Sequence, residues 1–333
     1  MTKYFPLENG IYEVKPGMVR FGSDFGNGIA DRQVFQFDDQ FPDYRSVKMR
    51  SRAEKLSKYY QTHNYSPPLA TAVARLIISR LTLEHPEYFQ LENQLENFTN
   101  SNFALNCKLT QEKLYFDANY QLQQVEMSAK SVSPAYISTL DALAAQVQED
   151  ITVICCTTND FNWVSAIHLC FPNHWSAADK IGKDFARIHE SVAGMEKINQ
   201  RGKAIVNTMI TREPMVRFAW GLSTDTHLNH HPETSPNLQI PASQSRKFDI
   251  HNPQLYLRIE RQVIWGLPEC DAAIFTIRTY FQDVAKIKQD IARRHKLISA
   301  IQSMTQNSLI YKGLLTSRDD ILRWLQDGDD IKS

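Results

Sequence analysis

A chain of 333 residues is long enough for one large domain or two modest ones, and either buries a sizeable core. Lys and Arg number 37, as do Asp and Glu, so the formal charge is zero and nothing offers an electrostatic footprint for nucleic acid or an anionic membrane. The start, MTKYFPLENGIYEV, lacks the basic-then-apolar pattern of a signal peptide, no apolar run approaches the roughly 20 residues of a membrane span, and the five unpatterned cysteines read as reduced core thiols. A cytoplasmic protein is therefore expected.

The first 35 residues are Gly-rich and irregular. Tyr44 to His63, rich in Lys, Arg and Glu, reads as a solvated surface helix. Pro67 and Pro68 open a second helix whose Leu69, Val73, Leu76, Ile77 and Leu81 form an apolar face, and His85-Pro86 ends it. Residues 90–112 are Asn/Gln-rich and loop-like, and 113–127 read as a short hairpin or strand. Pro134 begins a helix with Tyr136, Leu140, Leu143 and Val147 on one face. The continuous β-branched run ITVICC, 151–156, predicts a buried strand, and Asn159-Asp160 turns the chain into another over Trp163 to Phe171.

Phe171 to Gly194 is predicted to carry a helix that Ser176 and Asp179 start as a capping box and Gly194 stops. Trp175, Ala178, Gly182, Phe185 and His189 recur at helical steps, which puts His189 in the buried stripe, away from Lys180, Lys183, Asp184 and Arg187. A core-facing imidazole needs a partner. That partner is either a backbone carbonyl or a metal, and a single imidazole beside the small Gly182 and Ala186 suits an axial haem site better than zinc.

Another helix runs to about Met209, and a strand follows over Met215 to Ser223. The segment Thr224 to Gln254 is a long Pro- and His-rich insertion of the kind that is usually functional or mobile. Strands Leu255 to Leu267 and Ala272 to Phe281 come next, and Asp283 to Asp327 is a helical tail. This order predicts an α+β fold, a PAS-like antiparallel sheet with helices on one side. It divides the chain into a mostly helical N-terminal extension, 1–134, a PAS-like core, 135–282, and a C-terminal helical tail, 283–333.

Strand phase places Arg261 in the apolar row of Leu257, Ile259, Val263 and Trp265. Its partner is either a buried carboxylate or a ligand such as a haem propionate or dioxygen. Arg278 shares a face with Ile274, Thr276 and Tyr280, and Arg217 precedes Phe218 and Trp220, so arginines on three strands suggest a basic cavity lining. His227, His230, His231 and His251 invite a zinc reading, although they lack a helical scaffold or a Cys pair. No nucleophile elbow, phosphate loop or Rossmann fingerprint is present.

Taken together, FQFDDQFPDYRSVKMR at 35–50, AQVQEDITVI at 145–154, CFPNHW at 170–175, KIGKDFARIHESVAG at 180–194, VRFAWGLST at 216–224, LRIERQVIWGLP at 257–268 and IFTIRTY at 274–280 resemble the α subunit of haem-dependent oxidative N-demethylase. The resemblance implies a PAS-like core binding haem b, and the oxidation of a small secondary amine such as dimethylamine by dioxygen with release of formaldehyde. Tetrahydrofolate is a possible formaldehyde acceptor. NADPH-derived electrons would arrive through a separate reductase carrying FMN and a 2Fe-2S centre. The family pattern has a histidine at His189, implied as the iron ligand, and includes Arg217, Arg258, Glu260, Arg261 and Gln262; the leading expectation takes Arg217, Glu260 and Arg261 as catalytic residues and Arg258, Arg278 and Trp175 as further cofactor contacts. The chain departs from the family in lacking the two prolines that usually follow the histidine and in having Ala219 where asparagine is usual. A haem-based gas sensor without turnover, or a haem-free interaction domain, would be the alternatives.

Overall fold

The structure is a computed structural model and describes residues 4–7, 9–93, 102–127, 132–159, 161–233 and 247–327. After an irregular start containing β1 (Val19–Arg20), the chain forms α1 (Phe41–Tyr59), β2 (Tyr60–Thr62) and α2 (Pro67–Glu84). Pro67 and Pro68 sit in the first turn of α2, where an absent N–H costs nothing. Strands β3 (Phe89–Asn93), β4 (Phe103–Cys107), β5 (Glu112–Phe116) and β6 (Leu122–Met127) pair in sequence as a four-stranded antiparallel sheet. Then come α3 (Thr139–Ala144), the hairpin β7 (Asp150–Cys156) and β8 (Asn162–His168), and α4 (Phe185–Ile188), α5 (Glu196–Asn199) and α6 (Gly202–Thr211). Three long strands follow, β9 (Met215–Ser223), β10 (Tyr256–Leu267) and β11 (Ala272–Asp283), and α7 (Val284–Gln289), α8 (Ile291–Gln302), α9 (Gln306–Tyr311) and α10 (Arg318–Gln326) close the chain. No helix among the described residues is long and apolar enough to cross a membrane.

The main sheet has seven antiparallel strands in the order β1-β9-β10-β11-β7-β8-β2, which establishes the α+β class. Its two faces bury different partners because successive side chains on a strand point opposite ways. Val153, Val263 and Ile274 pack with Leu69, Val73, Ile77 and Leu81 of α2. Ile154, Ile264 and Ala273, one residue out of phase, pack with Phe185 and with Val206, Met209 and Ile210 of α6. Helices therefore cover both faces, not one. The close approach of α6 needs Gly266, where a Cβ would stand 2.1 Å from the carbonyl oxygen of Ile210.

Three further expectations are corrected. The described part of residues 1–134 is not helical alone, since besides α1 and α2 it supplies the four-stranded sheet and both edge strands of the main one. The Asn/Gln-rich stretch 90–112 conceals a strand, β4, whose Leu105 and Cys107 are fully buried beside Leu114 and Phe116 of β5, which lies where a hairpin or strand is expected. Nor is α1 a solvated helix. Its Lys48 and Arg52 are buried, with Arg52 forked onto Asp141 at 2.8 and 2.9 Å and Lys48 donating to the carbonyls of Ala144 and Glu149.

Arg261 faces the α2 layer. Its Nε and Nη2 each lie 2.6 Å from a carboxylate oxygen of Asp31, and the carbonyls of Gln33 and Val34 accept its other N–H groups. Removing one member of a buried pair strands the other charge, at a cost of about 3–5 kcal/mol, whereas replacing both with apolar residues is often close to neutral. Arg261→Leu should accordingly lower stability by about that amount, and the double replacement Asp31→Leu/Arg261→Leu should recover most of it. Urea unfolding of the parent and the two variants checks this; a single variant no less stable than the double one would contradict it.

Candidate functional site

The segment after β8 is held from below. Asp150, fully buried at the start of β7, accepts hydrogen bonds from the backbone N–H groups of Cys170 and Phe171 at 2.7 and 2.9 Å. Burial pushes its carboxyl up to about 7, against the pull of Lys48 and these two donors. From this anchor the chain does not enter the long helix that the periodicity suggests. Ser176 and Asp179 do form the capping box, at 2.8 and 3.2 Å, but it starts only a turn. Gly182 takes a left-handed φ of 71°, and the backbone around it pairs with Val164, through Gly182 N–H to Val164 O and Val164 N–H to Lys183 O. Strand-like pairing with β8 thus replaces helix, and α4 is confined to Phe185–Ile188 under an Asp184 cap.

His189 ends α4. Its Nδ1 lies 2.8 Å from the carbonyl oxygen of Phe185 and donates to it, and Nε2 has no hydrogen-bond partner among the described residues. The carbonyl reading is thus the one the structure shows, and it is compatible with the metal reading, because a carbonyl bond at Nδ1 fixes the tautomer whose Nε2 carries the lone pair. Burial, reinforced by the charges of Arg217 and Lys180, pushes the ring down to about 4, so it is neutral and ligand-competent at neutral pH. Lys180 Nζ donates to the carbonyl of Ile188 at 2.5 Å and lies 5.7 Å from the centre of the Trp175 ring.

Register decides which strand residues join His189. β10 pairs with β9 and β11 without a break, setting Gln262 opposite Arg217, Glu260 opposite Ala219, and Arg258 opposite Gly221. Arg217, Arg258, Glu260 and Gln262 therefore share the face that α6 covers at one end, and Arg217, Ala219, Glu260, Phe275 and Phe281 stay half-buried there. Glu260 links the row, with Gln262 Nε2 at 3.2 Å and Arg258 Nε at 3.8 Å. Burial lowers the pKa of both Arg217 and Arg258 and Glu260 opposes it, but neither guanidinium loses its proton at neutral pH. The Nε atoms of Arg217 and Arg258 are buried without a hydrogen-bond partner.

Arg261 and Arg278 do not join this group. They stand opposite each other on the α2 face, where Arg278 bonds Asp38 at 2.8 Å and lies over Tyr44. Unbroken pairing leaves no bulge to exchange Glu260 and Arg261, so the expected catalytic set divides between two layers. At the far end the sequence reading named Arg258 and His230 but missed Leu228 and Asp225, which hold them. Arg258 donates to the carbonyls of Phe171 and Leu228 at 2.7 and 3.3 Å, and His230 beside it bonds Asp225 at 2.9 Å. Only the density of histidines in that loop pointed there; its residues 234–246 lie outside the described residues. A cavity of about 250 Å³ between α2 and α3, lined by Tyr60, Tyr65, Ser138 and Thr139 among others, holds no histidine or charged side chain and is separate from this site. The family model for the haem-dependent oxidative N-demethylase, alpha subunit-like proteins matches residues 27–322, a span that includes every residue of the site.

The neutral His189 carries a pH signature. Above the ordinary histidine value near 6.5, the ring is uncharged whether the chain is folded or not, and it makes stability no function of pH. Below that value the unfolded chain takes up a proton that the folded one refuses, so stability falls until the folded ring titrates near 4. His189→Gln should lose less stability than the parent between about pH 7 and pH 4.5. Urea midpoints of the two haem-free proteins at both pH values test this, and parallel losses would show that the folded ring is not held neutral.

Proposed function

The chain belongs to the haem-dependent oxidative N-demethylase, alpha subunit-like family, and from that premise we propose that it binds haem b through His189 Nε2 and oxidises a small secondary amine. The observation that carries this reading is the His189 ring itself, tied at Nδ1, free at Nε2 and neutral, beside a sheet face bearing Arg217, Arg258, Glu260 and Gln262. The residues fit the group. The two buried Nε atoms without partners, on Arg217 and Arg258, supply cationic donors for propionates, and the half-buried Phe275 and Phe281 supply apolar surface for a macrocycle. Trp175 adds an aromatic wall. Arg278 and Arg261 stand apart from this assignment because they lie on the other face of the sheet, where they bond Asp38 and Asp31.

A PAS-like core is part of the same reading. Its support is the order of the five central strands, β8-β7-β11-β10-β9, which sets the first strand of that set beside the last. When bound, haem supplies the one-electron and dioxygen chemistry that no side chain provides. The reaction, for dimethylamine, is amine plus dioxygen, two electrons and two protons giving methylamine, formaldehyde and water. Glu260 holds the substrate as its ammonium ion, since a carboxylate in a half-buried site discriminates for a cation. Arg217 acts as a fixed donor to negative charge beside it. Electrons come from NADPH through a separate flavin (FMN) and 2Fe-2S reductase, in keeping with the alpha subunit-like description, tetrahydrofolate captures formaldehyde, and the cytoplasm is the setting. A haem sensor without turnover is the second reading, favoured by Ala219, which puts no polar group opposite Glu260.

Adding haem to the purified protein should produce a Soret band that His189→Ala removes and His174→Ala retains. Glu260→Gln should keep the band yet lower kcat/KM for dimethylamine by roughly 10- to 100-fold, the equivalent of ~1.5–3 kcal/mol for a hydrogen bond to a charged group. Absorbance and formaldehyde release with a chemical or enzymatic reductant measure the two. A Soret band unaffected by His189→Ala sinks the ligand assignment, and a band without any amine-dependent formaldehyde moves the protein to the sensor reading.

A further inference from the structure

Where the chain leaves β9, three side chains unrelated to His189 converge. Asp225, His227 and His230 each turn one potential ligand atom inward, and these atoms all lie within 4.8 Å of one another. His230 Nε2 is 2.9 Å from Asp225 Oδ1, and His227 Nδ1 is 3.5 Å from the same oxygen. Ligands about 2.0–2.1 Å from a tetrahedral ion stand about 3.3 Å apart, so the two separations bracket what a bound ion requires. We propose that Asp225, His227 and His230 form a binding site for a divalent transition-metal ion of the zinc class, with a fourth position left to solvent.

The backbone prepares the site. His230 is stitched to the segment after β8 by His230 N–H to Pro172 O and His174 N–H to His230 O, both 3.0 Å. The ring of His174 stacks on that of His230 at 5.0 Å and 4°. Asp225 accepts the backbone N–H of His227 at 2.8 Å, which fixes the turn that brings that imidazole back over the carboxylate. Two of the three ligands are thus held before any ion arrives.

Two imidazoles and one carboxylate select among cations. Calcium and magnesium ask for six or more oxygens, whereas zinc and its first-row neighbours accept this mixed set with an open position. The metal takes the place of the proton between His230 Nε2 and Asp225, and that proton moves to Nδ1, leaving the ring neutral. Arg258 Nη1, 3.5 Å from Nδ1, is beyond normal hydrogen-bond length and has the carbonyls of Phe171 and Leu228 as its acceptors, so it does not hold Nδ1 in the acceptor form. Because Leu228 lies between two of the ligands, an ion here would fasten the carbonyl that orients Arg258. The site itself is independent of haem binding.

Untagged protein, stripped with a chelator, is titrated with Zn(II) and with Co(II). The expected result is one equivalent of tight binding and an intensified visible Co(II) spectrum of four-coordinate type. His227→Ala, which removes an exposed ring, and Asp225→Asn should each weaken Zn(II) binding by more than the roughly 10- to 100-fold that loss of a residue merely supporting a ligand costs. His251→Ala and His189→Ala should bind zinc as the parent does. Absence of a stoichiometric site, or zinc binding retained in His227→Ala and Asp225→Asn but lost in His189→Ala, would overturn the proposal. Circular dichroism confirms that the two key variants are folded, and their Soret bands on haem addition report separately on the His189 site.

Discussion

The pleat of β10 is the constraint on which the molecule depends. Over Arg258 to Gln262, four of the five positions carry a charge or an amide, and their alternation sends Arg261 to one layer and Arg258, Glu260 and Gln262 to the other. In the α2 layer the guanidinium is fully enclosed and meets a fully paired carboxylate. In the α6 layer Arg258 and Gln262 are buried and Glu260 is half-covered, and the Nε of Arg258 is in no hydrogen bond. One strand thus separates a buried ion pair from a second polar row, and unbroken hydrogen bonding on both sides of β10 keeps them from exchanging.

The polar core beneath the sheet carries the site upward. Arg52, Asp141 and His168 form a buried chain of charge-assisted contacts, with His168 Nε2 3.2 Å from Asp141. Burial lowers the pKa of that histidine, and Asp141 opposes the shift. Asp150, at the start of β7, fixes the two amides from which the path to His174 and His189 begins. Polar groups in such a place cost stability unless every one is satisfied. What they contribute is position, because a directional bond fixes a backbone segment where apolar packing alone would let it slide.

How much of this was legible follows from where the signals were local. β9 was readable residue for residue from Met215 to Ser223, and α2 from its paired prolines and apolar stripe, since each rests on its own sequence. α1 was misjudged because its lysine and arginine are answered by carboxylates and carbonyls about a hundred residues away, and composition cannot register a distant partner. The 171–194 helix failed for a related reason: its apolar spacing was genuine, but tertiary pairing with Val164 overrode it. His189 survived the error. It sits at the end of a single turn, where the four-residue step back to Phe185 still holds, and that step alone makes its hydrogen bond. The division of the arginines was half legible, since strand phase placed Arg261 with the apolar row while the family pattern drew it toward Glu260.

Gly266 has a consequence for how this architecture varies. Backbone touches backbone where α6 crosses β10, so the helix rests on the strand without any side chain as a spacer. Its height above the sheet at that point is therefore a main-chain contact distance, indifferent to rotamers. Val206, Met209 and Ile210 pack around this fixed crossing, so substitutions among them alter the texture of the wall more than its position. Selectivity by size would have to be adjusted at the opposite end, where the covering segment is a loop.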